Sequence, residues 1–159
     1  MTRLFLILSL TLLFGTRGTH AQDVYNLVLE NATRTVNSPT SGYTQTKIAQ
    51  FKRTALVYLK SKCFETSDTV SVELLNTQAY YMSEFLTLFF DEILKSKKLS
   101  EAERKEKVML FMSASESNPL FNDPDTDTTL SYVTESGELT PFSLDTDWQK
   151  AYFAAKSRL

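Results

Sequence analysis

The sequence predicts a single all-α domain of four to five helices, with an irregular segment before the last helix. Three observations carry that expectation. Glycine and proline are scarce, four of each in 159 residues, in a chain rich in Leu, Ala, Lys, Glu and Phe, a balance that suits helices. Apolar residues recur at spacings of four and three through residues 70–97, the period of a helix buried along one side. Finally, Ser100-Glu101-Ala102-Glu103 is a capping box, a local signature of a helix start.

Taken in order, residues 23–36 read as a first helix with Val24, Leu27 and Val28 on one face. Asn37-Ser38-Pro39-Thr40-Ser41-Gly42 is a turn-rich break. A second helix over residues 43–64 places Ile48, Phe51, Ala55, Tyr58 and Leu59 at helical spacing. The third, over residues 70–97 with Asp68 or Thr69 as its N-cap, is the strongest signal. Its stripe of Leu75, Ala79, Met82, Leu86, Phe89 and Ile93 is widened by Leu74, Tyr81, Phe85 and Leu88. So broad a face belongs to a central helix packed on more than one side. Glu73, Asn76, Thr77, Tyr80, Glu84, Thr87 and Asp91 form its narrow wet face.

The fourth helix starts at the capping box, turns Val108, Phe111 and Met112 inward, and is expected to end at Pro119. Residues 120–144 lose helical periodicity. Leu130, Tyr132 and Leu139 flank the Ser136-Gly137 turn at a spacing compatible with a short hairpin. A last helix over residues 145–158 carries Trp148, Ala151, Tyr152 and Ala155 on one face. Trp148 and Tyr152 admit two readings, a stacking platform for sugar or peptide and a core pair; the core pair is favoured.

Residues 1–21 stand apart from this domain. Arg3 is followed by an apolar run from Leu4 to Phe14, then Gly15, Gly18 and a cleavage-compatible Thr19-His20-Ala21. Eleven helical residues span about 16 Å, half a bilayer core, so the segment reads as a cleavable signal peptide. The expected product is an exported chain, periplasmic or secreted, beginning at Gln22, with residues 22–159 as one helical domain. No later segment is apolar and long enough to serve as a transmembrane anchor.

Removal of the signal also changes the chemistry. Arg3 and Arg17 leave, so 15 bases face 19 acids and the net charge is −4, which argues against nucleic-acid binding. His20 is the sole histidine, and without it there is no His-based triad, Cys–His pair or common zinc ligand set. Cys63 is the lone cysteine; it has no intrachain disulfide partner and reads as a small buried hydrophobe among apolar neighbours. The pattern points away from catalysis. A carboxylate-based glycan hydrolase is the remaining enzymatic alternative.

Two features point to ligands. Asp123, Asp125 and Asp127 alternate along a turn, an arrangement able to offer hard oxygens to calcium, the one cofactor alternative in the sequence. It is not an EF-hand, because Thr128 and Thr134 occupy the positions that need Gly and Glu. Charge is also segregated. Lys47, Lys52, Arg53, Lys60 and Lys62 fall in a stretch without acids, whereas residues 108–149 hold eight acids and no base. Either the basic helix meets a membrane surface or acidic partner, or it faces the acidic segment internally; the internal pairing is favoured.

The segments Phe51-Lys52-Arg53-Thr54-Ala55-Leu56, Gln78-Ala79-Tyr80-Tyr81-Met82-Ser83-Glu84-Phe85, Asn118-Pro119-Leu120-Phe121-Asn122-Asp123 and Phe142-Ser143-Leu144-Asp145-Thr146-Asp147-Trp148 resemble a family of small exported bacterial proteins without an assigned activity. The resemblance implies a bacterial envelope or extracellular setting and supplies no substrate or site. The sequence thus leads to a non-catalytic module that acts through a protein or glycan partner outside the cytoplasm. Its expected surface combines Tyr80 and the polar stripe of the third helix with the loop 118–127, in particular Asn118, Asn122 and Asp123.

Overall fold

The computed structural model describes residues 23–65, 71–94, 99–116, 121 and 146–159. Among these the chain forms five α-helices and no strand: α1 (Val24–Asn37), α2 (Tyr43–Glu65), α3 (Val72–Leu94), α4 (Glu101–Ala114) and α5 (Trp148–Lys156). The expected signal peptide, the hairpin segment and the aspartate loop lie outside the described residues. No described helix is long and apolar enough to cross a membrane.

Four of the five described helix starts, those of α1, α3, α4 and α5, are set by a short polar side chain that occupies a free N–H of the first turn. The Asp23 carboxylate accepts from the Asn26 amide at 3.0 Å, and that of Asp147 accepts from the Lys150 amide at 3.2 Å. At α4 the capping box closes in both directions. Ser100 Oγ accepts from Glu103 N at 3.3 Å, and Glu103 Oε2 accepts from Ser100 N at 2.8 Å. The hydroxyl and amide of Ser100 hold the Glu103 carboxyl below its usual range. For α3 the expected cap is corrected: Ser71, rather than Asp68 or Thr69, accepts from the Leu74 amide at 3.0 Å.

Helix α3 is the central element, packed by α1 and α2 on one side and by α4 and α5 on another. Its amide side chains fasten the first and last helices. Asn76 Oδ1 accepts from the backbone N–H of Tyr25 at 2.9 Å, and Gln78 Oε1 accepts from that of Trp148 at 2.8 Å. Both N–H groups belong to first helical turns and have no partner within their own helices. At the other end, Lys107 of α4 pairs with Glu92 of α3 at 2.6 Å.

The core is aromatic. Phe85 meets Phe111, Phe121 and Trp148 with centroids 5.4, 5.1 and 5.5 Å away, all edge to face, the orientation the ring quadrupoles favour. Phe89 extends the cluster to Phe90, and Phe90 extends it to Phe51 of α2. All these rings are essentially inaccessible to solvent. Trp148 is therefore a core residue, as the favoured reading of the Trp148–Tyr152 pair has it, with Tyr152 packed at the edge of the core.

Four further expectations are corrected. On α1 the inward face is Tyr25, Val28, Leu29 and Ala32, whereas Leu27 is exposed. Leu74 is likewise exposed, since it precedes the region where α5 covers α3. Helix α4 ends at Ala114 rather than at Pro119, because Glu116 takes a left-handed conformation with φ 58° that no α-helix continues through. The wet face of α3 is half-buried at Asn76 and Thr87, both of which bond to neighbouring helices.

Thr87 is the counterpart of Lys52, whose Nζ donates to Thr87 Oγ1 at 2.5 Å. Burial lowers the Lys52 pKa, opposed by the carboxylates of Glu84 and Asp91. With the folded value below the unfolded one, the unfolded chain binds more protons between the two, so stability rises with pH across that window. Paired urea titrations through the alkaline range are expected to show the stability of the parent chain gaining on that of Lys52→Met as pH rises through this window. Identical pH slopes for the two proteins would contradict it.

Candidate functional site: an aromatic surface on α3 and α5

Two aromatic doublets, Tyr80-Tyr81 on α3 and Tyr152-Phe153 on α5, lie where these helices pack together. Consecutive helical residues point about 100° apart, so each doublet presents its two rings to different sides of its helix. The four rings meet at the surface. Tyr81 is the hub, with centroids at 5.2 Å from Tyr80, 5.6 Å from Tyr152 and 5.4 Å from Phe153. Tyr152 and Phe153 are 5.4 Å apart. The tyrosines are half-buried, and Phe153 is 51% exposed.

Polar groups frame the rings. Lys156 Nζ donates to Tyr152 Oη at 2.9 Å and sits 5.1 Å from the Tyr152 ring centroid. The hydrogen bond to Tyr152, together with that residue's charge, raises the Lys156 pKa. Burial raises the Tyr80 pKa, and Glu84, one turn along α3, pushes the same way. Near neutral pH the Tyr80 phenol therefore stays protonated beside the Lys156 ammonium. Such a set stacks on flat or apolar groups and exchanges hydrogen bonds at its rim.

Of the residues expected at the site, Tyr80 belongs to this surface. Asn118, Asn122 and Asp123 lie outside the described residues, as do Asp125 and Asp127 of the calcium alternative. Among the described residues no group of three His, Cys, Asp or Glu is placed to hold a metal. Phe121, within the expected loop, is fully buried against Phe85 and Phe89, so at that point the loop enters the core. Tyr81, Phe153 and Lys156 were not anticipated as site residues. The signal that reveals them is the pair of aromatic doublets, read as doublets instead of as members of separate stripes. No family model, curated protein or solved structure matches the chain.

Proposed function

We propose that the chain is an exported, non-catalytic helical protein that acts by binding a partner, and that the aromatic surface of α3 and α5 makes the contact. The carrying observation is the cluster of Tyr80, Tyr81, Tyr152 and Phe153, with Phe153 half out of the protein. Tyrosine and phenylalanine are the residue types enriched where protein surfaces are buried on association, and a few such rings carry most of the binding energy. The apolar run and small residues of the first 21 positions support export. So does the resemblance to small exported bacterial proteins. The absence of histidine downstream of residue 20 supports a non-catalytic role, because the usual general base is missing.

The test is to immobilise residues 22–159 and capture from solubilised envelope and culture supernatant, with saturable binders identified by mass spectrometry. Tyr80→Ala and Phe153→Ala are each expected to weaken the captured partner by about 2 kcal/mol, near thirty-fold. Both lie at the surface and should leave the melting temperature within a few degrees of the parent. A partner that binds both variants with parent affinity rules this surface out.

A further inference from the structure

We infer that the outer face of α2 is a docking surface for an anionic lipid bilayer. Residues 23–65 carry six bases against three acids, while residues 66–159 carry nine bases against sixteen acids. The α1–α2 pair is thus a positive end on an otherwise negative molecule, a separation that orients it in an electric field. Between Tyr43 and Phe64 there is no acid at all. Spacings of four and three link Arg53, Val57 and Lys60, which with Tyr43 fall on the side of α2 away from its buried Phe51, Ala55 and Leu59. The stripe runs about 25 Å at the helical rise.

Lys60 lies 4.9 Å from the Tyr25 ring centroid, a contact that steadies an ammonium. Lys52, on the inner side, is engaged by Thr87 of α3. Two exposed side chains select lipid over an acidic polymer. Tyr43 is 79% and Val57 is 54% exposed, and an aromatic ring with an aliphatic side chain among lysines is how a helix lies in a headgroup layer. The acidic remainder, repelled by the same surface, would face away from it.

This surface is distinct from the aromatic one on α3 and α5, so the two inferences stand or fall separately. Residues 22–159 retain the whole core, which begins at Tyr25, and lack the apolar run that would insert by itself. Their binding to vesicles of phosphatidylcholine, with and without phosphatidylglycerol, is measured by flotation. Retention is expected only with phosphatidylglycerol, falling with added salt as screening shortens. Arg53→Gln combined with Lys60→Gln should weaken it by about twenty-five-fold, at about five-fold per base. Tyr43→Ser should weaken it severalfold with the salt dependence unchanged, which keeps a readout if the double variant unfolds. Equal retention on neutral vesicles, none on either, or no effect of these substitutions overturns the inference. Retention on polyphosphate without retention on vesicles overturns it in favour of an acidic polymer.

Discussion

Replacement of Trp148 by alanine is expected to destabilise the protein by about 3–5 kcal/mol, the usual cost of removing a large buried ring. The indole is inaccessible to solvent and packs edge-on against Phe85 and Phe121. Its helix, α5, has nine residues, and isolated helices below about 12 residues are marginal in water. Once the indole is gone, α5 keeps only Ala151 and Ala155 as fully buried anchors, so undocking of the whole helix accompanies the cavity. Against a domain stability of about 5–15 kcal/mol, a large share of the folded margin disappears. Circular dichroism in urea measures it. Trp148→Phe separates ring from polar atom. The phenyl substitution keeps a large ring against Phe85 and Phe121 and is expected to cost less than half as much. A parent-like midpoint for Trp148→Ala would refute its placement in the core.

Phe85→Ala is expected to have an effect of similar size, about 3–5 kcal/mol, for a different reason. Phe85 is where three parts of the chain converge: Phe111 from α4, Phe121 after it, and Trp148 from α5. Its removal opens one cavity shared by all three. The pair Phe85→Ala and Trp148→Ala should therefore cost less than the sum of the single changes, by about 0.5–1.5 kcal/mol, the coupling of an edge-to-face aromatic pair. Strict additivity in a double-mutant cycle would show that the two rings do not support one another.

Periodicity made α3 legible because most of its circumference is buried, so almost any apolar residue in it had one place to go. The shorter helices were harder to read. Leu27 and Val28 are equally apolar neighbours on α1, and only the position of α3 decides that Val28 turns in and Leu27 out. The end of α4 was misplaced because Pro119 is a visible stop, whereas a left-handed Glu116 has no signature in its residue type. Asn76 and Thr87 read as solvent-facing because their partners are 51 and 35 positions away, and pairing at such range leaves no local pattern. The site followed the same rule. Tyr80 stood out on a polar stripe, while Phe153 was hidden in a helix short enough for several faces to appear apolar.

The bonds from Asn76 and Gln78 also set a timetable. Among the described residues the core ring latest in the chain is that of Trp148, and its backbone amide is held by a side chain 70 positions earlier. A ribosome that has made α1 to α4 has not yet made the piece that closes them. Until α5 has been made, Phe85, Phe111 and Phe121 lack their indole neighbour and Gln78 lacks its donor. The aromatic core is thereby completed only after α1 to α4 have all been synthesised.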